Sequence, residues 1–153
     1  MQVEFEHTSP YNHGTLPFYW LLSMLSKATK EPSTLRLADV AKVDPSITAL
    51  WLYGSRARGD HHPHSDYDLA VRFTDRESNP LSATEKLNDL TLQWRTQTNL
   101  DISLVDINNC PTPLAAVISE EGLLLVDKLP HLTPWLYQQL WSKWEDWQYI
   151  RQD

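Results

Sequence analysis

The residues with the clearest chemical potential are a Gly-Ser pair, Gly54-Ser55, and two aspartates, Asp66 and Asp68, which follow it after a short spacer. A Gly-Ser turn can offer backbone N–H groups and a hydroxyl to a phosphate. If Asp66 and Asp68 lie on a strand, both carboxylates point to one face, because strand side chains alternate. Adjacent carboxylates repel each other unless a cation lies between them, and Mg²⁺ prefers carboxylate and phosphate oxygens as ligands. The segment therefore predicts a site for a nucleotide and a divalent metal.

This motif resembles the signature of the nucleotidyltransferase superfamily to which polymerase β belongs: Gly-Ser, a spacer, and then Asp-x-Asp. The flanks agree, with Leu-Tyr-Gly-Ser-Arg-Ala-Arg-Gly before the spacer and Ser-Asp-Tyr-Asp-Leu-Ala-Val after it. The residues of the motif and its flanks are most similar to those of the minimal nucleotidyltransferases, the MNT or MntA group. Members of this group commonly act as antitoxins that are paired with HEPN ribonuclease toxins. The resemblance covers residues 35–128 of the chain.

The resemblance implies an α/β (α+β) fold, with a small mixed β-sheet and helices packed on one face. It also implies a Mg²⁺-dependent enzyme that uses ATP and transfers AMP to a tyrosine hydroxyl of a cognate HEPN toxin. In such an enzyme Gly54 forms the turn, Ser55 holds the β- and γ-phosphates, and Asp66 and Asp68 bridge the metal ions.

Two arginines follow the Gly-Ser pair, at Arg56 and Arg58. Guanidinium groups suit phosphate oxygens in both geometry and charge. We therefore predict that both residues help to bind the nucleotide by neutralising triphosphate charge. Surface solvation is an almost equally good interpretation of Arg58.

A third carboxylate is needed if two Mg²⁺ ions hold the attacking and leaving oxygens. The candidates on the third predicted strand are Asp101 and Asp106, which face opposite sides because their separation is odd. Related minimal nucleotidyltransferases usually carry a Val-Asp-Leu-Val-Asp-Leu-type strand whose first Asp is the ligand, and the matching position here is Ser103. We predict Asp101, two residues earlier on the same face, as the third metal ligand. Because Ser103 stands where relatives carry the ligand aspartate, a protein with weakened catalytic activity is an alternative interpretation.

Composition sets the outer limits of the interpretation. A chain of 153 residues with 41% hydrophobic residues is expected to form one compact unit. Its net charge of −7 argues against electrostatic binding of nucleic acid, which requires a basic surface, and is compatible with docking onto a basic protein. The single cysteine, Cys110, excludes an intrachain disulfide. With no apolar run of membrane-spanning length and no signal-peptide pattern at the start, we expect a cytoplasmic protein that contacts neither membrane nor nucleic acid directly.

The coarse pattern divides the chain into an N-terminal arm and short helix (1–34), a nucleotidyltransferase domain (35–128) and a Trp-rich C-terminal helix (129–153). A capping box, Ser82 to Glu85, predicts the start of the helix that follows the second strand. Gly122 fits the C′ position of the next helix. Strands are predicted over 47–53, 67–73, 100–107 and 123–126, and helices over 17–29, 34–43, 82–98, 113–121 and 134–151.

The C-terminal helix carries more aromatic residues than one buried stripe requires. We interpret the stripe formed by positions 137, 141, 144 and 148 as a surface for a partner or for self-association, because aromatic residues are favoured at interfaces. Core packing is the alternative. The tryptophans of the helix are Trp135, Trp141, Trp144 and Trp147, of which Trp141 and Trp144 lie in this stripe.

Two other functions remain open from the sequence. A stand-alone nucleotidyltransferase could act on a small hydroxyl compound such as an aminoglycoside, since an acidic surface attracts cations. A non-catalytic antitoxin could neutralise its toxin by contact, through the Trp-rich helix. The histidines of the spacer, His61, His62 and His64, have irregular spacing and no Cys partner, so we interpret them as solvated residues rather than a zinc site.

Overall fold

A four-stranded mixed sheet with strand order β3-β2-β1-β4 forms the centre of the computed structural model, which describes residues 26–151. β1 is antiparallel to both β2 and β4, whereas β2 and β3 are parallel. The predicted mixed α/β fold is confirmed. Strands β1 and β2 have the predicted bounds, while β3 is shorter than predicted at both ends. The strands are β1 (Ile47–Tyr53), β2 (Tyr67–Phe73), β3 (Ile102–Asp106) and β4 (Leu123–Asp127).

The helices follow the predicted order with small differences at their ends. α1 begins two residues earlier than predicted, because Pro32 is accepted in the first turn, where no backbone N–H is needed. The predicted helix over 17–29 and the arm before it lie outside the described residues, apart from a single 3-10 turn at Lys27–Lys30. The helices are α1 (Pro32–Val43), α2 (Ser55–Arg58), α3 (Pro80–Thr98), α4 (Thr112–Glu121) and α5 (Thr133–Arg151).

Two of the predicted helix ends need correction. The N-cap of α3 is Asn79, whose Oδ1 accepts hydrogen bonds from Leu81 N (3.0 Å) and Ser82 N (3.3 Å), so Ser82 lies inside the first turn instead of capping it. Gly122 ends α4 with extended backbone (φ −66°, ψ 140°) and not in the left-handed C′ conformation. Glycine is required there because a Cβ would collide with the carbonyl oxygen of Ile118.

Helices pack on both faces of the sheet, which corrects the prediction of one covered face. Central strands that are apolar on both sides need cover on both sides, and every residue of β1 except Tyr53 is buried. On one face, α1 and α3 cover Leu50, Leu52, Leu69 and Val71 through Leu37, Ala41, Leu90 and Trp94. On the other face, α4 and α5 cover Ala49, Trp51 and Ala70 through Ala115, Ile118, Leu136, Tyr137 and Leu140.

The core contact of α5 changes the interpretation of its aromatic stripe. Tyr137 is only 5% exposed, and its hydroxyl accepts a 2.7 Å hydrogen bond from Trp51 Nε1, so this residue belongs to the core and not to a partner surface. Trp144 and Trp147 stack on each other at 5.0 Å between ring centroids. The large hydrophobic side chains that are exposed on α5 are those of Trp135, Tyr149 and Ile150. Within residues 26–151, none of the helices has the length and hydrophobicity to cross a membrane.

Candidate active site

The Gly-Ser turn connects the end of β1 directly to the one-turn helix α2. Gly54 has φ +73° and ψ −157°, a conformation that is nearly exclusive to glycine. Its carbonyl oxygen accepts hydrogen bonds from the N–H groups of Ala57 and Arg58, both at 3.1 Å. A Cβ at position 54 would collide with Oδ2 of Asp68 and lie 3.2 Å from its Cγ. The turn therefore lies against the Asp68 carboxylate.

The two aspartates lie together at the start of β2. Asp68 is paired with Tyr53, the last residue of β1, and Asp66 lies two residues before it. Partial burial is the largest cause that raises the pKa of Asp68, and the negative charge of Asp66 raises it further. The positive charge of Arg58 lowers it. Because the ionised pair is unfavourable in the protein alone, a divalent cation would relieve both the repulsion and the desolvation. The donor set and the close approach of Gly54 thus fit a Mg²⁺ ion held by Asp66 and Asp68.

Tyr53 is a neighbour of the site that our sequence reasoning missed. Burial raises its pKa to about 12, with further contributions from Asp68, Cys110 and Asp66 in that order. Its phenol therefore stays protonated at neutral pH, and the residue lies next to Asp68 in the sheet. In the sequence, only its position immediately before Gly54 could have indicated that Tyr53 lies near the site. Its pairing with Asp68 depends on the register of β1 against β2.

The two arginines of the motif have different surroundings. The Arg58 guanidinium contacts Asp60 Oδ2 (3.2 Å) and Glu121 Oε2 (3.6 Å), and it still acts electrostatically on Asp68. Arg56 instead donates hydrogen bonds to backbone carbonyls of the spacer, including that of Ser65. The structure thus places the charge of Arg58 near the carboxylate pair, whereas the donors of Arg56 are directed at the protein itself.

The third carboxylate is not assembled with the other two in this structure. Ser103 is the residue of β3 that lies opposite Asp68. Asp101 lies just before β3, where its carbonyl oxygen accepts a 2.9 Å hydrogen bond from Tyr67 N. The Asp101 side chain is 74% exposed, and one oxygen lies 3.8 Å from Arg95 Nη2. Over residues 26–151, no three His, Cys, Asp or Glu side chains are close enough together to hold a metal ion, so the role of Asp101 stays a prediction.

Asp106, the alternative third ligand, has a local structural role at the far end of β3. Its carboxylate accepts hydrogen bonds from Asn108 N (2.9 Å) and Asn109 Nδ2 (2.8 Å), which is typical of an aspartate that closes a turn. Its partner in the register is Val71, three residues further along β2 than Asp68. The position next to Asp68 is therefore left to Ser103.

Comparisons with known proteins identify the family and the fold. Residues 36–130 match the family model described as "Polymerase beta, Nucleotidyltransferase". A search of the curated proteins found no match. Similar solved structures include a toxin–antitoxin with AMP-PNP (23% identity, TM-score 0.58, covering 80% of this chain and 93% of that one).

Two further solved structures come from Shewanella oneidensis. One is a tri-AMPylated HEPN toxin in complex with an MNT antitoxin (20% identity, TM-score 0.58, covering 78% of this chain and 92% of that one). The other has 18% identity and a TM-score of 0.60, and the match covers 80% of this chain and 92% of that one. At these identities the structural likeness shows the fold alone.

Proposed function

We propose that this chain, which belongs to the polymerase β nucleotidyltransferase family, is an antitoxin that transfers AMP from ATP to a tyrosine hydroxyl of a HEPN ribonuclease toxin. Modification of the toxin would remove its ribonuclease activity. The observation that carries the proposal is the contact between the Gly54 turn and the Asp68 carboxylate, with Asp66 beside it. This close approach supports the proposal, because a turn that binds phosphate and a carboxylate pair that binds a metal must reach the same nucleotide.

Each residue of the site has a separate part in the proposed reaction. Asp66 and Asp68 would hold Mg²⁺, which supplies Lewis-acid stabilisation of the phosphate charge when it is bound. The Ser55 hydroxyl and the adjoining turn bind the β- and γ-phosphates. The charge of Arg58 offsets that of the triphosphate, and Tyr53 closes one side of the site. Together these groups would align the α-phosphate for attack by the acceptor hydroxyl. The tyrosine oxygen bonds to the α-phosphorus as the bond to the β-phosphate oxygen breaks, so that pyrophosphate leaves and the hydroxyl proton passes to solvent.

Two observations support a protein acceptor. Similar folds occur in structures described as toxin–antitoxin complexes, one of which contains an AMPylated HEPN toxin. The net charge of −7 complements an RNA-binding partner, whose surface must be basic. We propose that the toxin docks next to the site and that the exposed aromatic residues of α5 contribute to the contact, with both proteins in the cytoplasm.

The direct test combines the purified chain, ATP, Mg²⁺ and the product of the neighbouring gene, which the proposal expects to be a HEPN toxin. We expect intact-mass spectrometry to show one or more AMP units on the toxin, located on tyrosine by peptide mapping, together with loss of its ribonuclease activity. An ATP analogue with a methylene group between the α- and β-phosphates serves as the control, because it can bind but cannot release AMP. An unmodified toxin in the ATP reaction would reject the enzymatic antitoxin.

A non-catalytic antitoxin is the second candidate, and the surroundings of Ser103 favour it. A serine stands opposite Asp68, and the nearest acidic alternative, Asp101, is exposed and paired with Arg95. A site with two carboxylates could bind a metal nucleotide and yet transfer AMP slowly, since the ion that activates the acceptor hydroxyl lacks a ligand. The antitoxin would then neutralise its toxin by binding to it, without modifying it.

Replacing Ser103 with aspartate tests whether the site is one carboxylate short. We expect Ser103→Asp to raise the rate of AMP transfer at least about tenfold, because a third carboxylate completes the two-metal arrangement. We also expect a lower melting temperature without metal, from repulsion by Asp68, and recovery with Mn²⁺. Ser103→Asn is the matched control without charge. If neither variant changes the initial rate while the wild type transfers AMP rapidly, another residue already supplies the third ligand.

A further inference from the structure

Arg56 makes an unusual set of contacts for a residue that follows a phosphate-binding serine. Its Nε and Nη2 atoms both donate to the carbonyl oxygen of Ser65, at 3.2 and 2.8 Å. Nη2 also donates to the carbonyl oxygen of Pro63 at 3.3 Å. The guanidinium carbon lies 4.2 Å from the centroid of the Tyr67 ring. The side chain is thus bound through Nε, Nη2 and the face of its guanidinium to the spacer and the start of β2.

These contacts lie on both sides of Asp66 along the chain. The Ser65 carbonyl belongs to the peptide group that leads into Asp66, and Tyr67 is the residue that follows it. The Tyr67 ring is only 7% exposed and is packed in the core, so it gives the guanidinium a fixed surface. On the other side, the backbone of Arg56 is part of α2, immediately after Ser55. Arg56 therefore joins the phosphate-binding turn to the backbone that carries the first metal-binding carboxylate.

We propose that Arg56 is a positioning residue that fixes the Asp66 carboxylate for metal binding, and that it does not bind the triphosphate. This inference rests on the proposed metal site. The planar fork of arginine matches a carbonyl oxygen with two parallel donors and can stack on an aromatic ring at the same time. A lysine has a single ammonium group and cannot do both. The position thus requires arginine for its shape, whereas a phosphate ligand requires mainly its charge.

The comparison with Arg58 supports this division of roles. Arg58 has carboxylate partners at the surface and a side chain that is 47% exposed, so it can change partners when a nucleotide arrives. The Nε and Nη2 donors of Arg56 could reach a phosphate only if their hydrogen bonds to Ser65 and the contact with Tyr67 broke. Those contacts hold the loop that delivers Asp66, and their loss would disturb the metal site that the phosphate needs.

The first test measures Mn²⁺ binding in the absence of nucleotide, for Arg56→Lys and Arg56→Gln. We expect both variants to bind Mn²⁺ about tenfold more weakly, which is the usual effect of removing a group that orients a metal ligand. Arg36→Lys is the matched control, because Arg36 Nη1 also donates to a backbone carbonyl, that of Thr98 at 3.0 Å, which belongs to α3 and not to the spacer. A phosphate ligand at position 56 predicts unchanged Mn²⁺ affinity and partial rescue of ATP affinity by lysine.

The second test needs no ligand at all. Backbone amide exchange at Asp66 and Tyr67 should become faster in both Arg56 variants, while the amides of β4 keep wild-type rates. Faster exchange in every strand would indicate general destabilisation and would overturn the positioning role, as would unchanged exchange at Asp66 and Tyr67. This readout decides the role of Arg56 even if the wild type transfers no AMP, in which case only the proposed function fails.

Discussion

Replacing Asp68 with asparagine will abolish AMP transfer without loss of the fold. The substitution keeps the shape of the side chain but removes the charge that would hold Mg²⁺ next to the Gly54 turn. Loss of several kcal/mol of transition-state stabilisation corresponds to a decrease in rate of at least about 10³-fold. Initial rates of toxin modification, followed by intact-mass spectrometry, measure this effect.

The stability of the Asp68→Asn variant follows from the pKa of Asp68, which is raised by burial and by Asp66. A carboxyl group whose pKa is higher in the folded state stabilises the protein only when protonated, so its contribution is lost as the pH rises through the folded-state pKa. At pH 7 the ionised group is therefore unfavourable, and we expect asparagine to leave the melting temperature unchanged or to raise it. The comparison requires metal-free protein.

Asp89→Asn is the matched control for this experiment, since Asp89 lies exposed on α3, away from the site. We expect it to transfer AMP at the wild-type rate. Transfer by Asp68→Asn within about tenfold of the wild type would contradict the proposed metal role. If Asp68→Asn modifies no toxin but still neutralises it in a stable complex, the contact antitoxin is the correct interpretation.

Replacing Gly54 with alanine will impair both folding and nucleotide binding. The backbone at Gly54 has φ +73°, and the new Cβ would collide with the Asp68 carboxylate. Strain of this kind costs about 1–3 kcal/mol in the free energy of unfolding. Displacement of Asp68 should also weaken Mn²⁺–ATP binding more than about tenfold, in line with the loss of a group that orients a metal ligand. Urea unfolding and calorimetric titration measure the two effects.

Gly59→Ala separates the two causes. Gly59 also has a positive φ, +84°, but a Cβ there would meet nothing within 4 Å. Alanine at this position therefore introduces backbone strain without a collision, and we expect some loss of stability with normal Mn²⁺–ATP affinity. If Gly54→Ala binds Mn²⁺–ATP as well as Gly59→Ala does, then the close approach of the turn to Asp68 has no part in binding.

The local pattern of the sequence determined the elements that carry the motif. The apolar run of β1 and the alternation of β2 involve only near neighbours along the chain, and both strands have their predicted bounds. The Gly-Ser turn followed for the same reason, since a glycine directly after a buried strand indicates a sharp bend. The spacing of Asp66 and Asp68 predicted that they would lie close together, and the negative charge of Asp66 does act on Asp68, although β2 begins only at Tyr67.

Contacts between distant segments were decided only by the tertiary structure. The register of β2 against β3 depends on packing across a crossover through α3, and it places Ser103 opposite Asp68. The same applies to the carbonyl partners of Arg56 and to Tyr53 beside the carboxylates. Such contacts depend on the positions of several elements at once, whereas residue type and spacing describe one element at a time. The sequence therefore determined which residues could do the chemistry, and the packing of the sheet decided which of them meet.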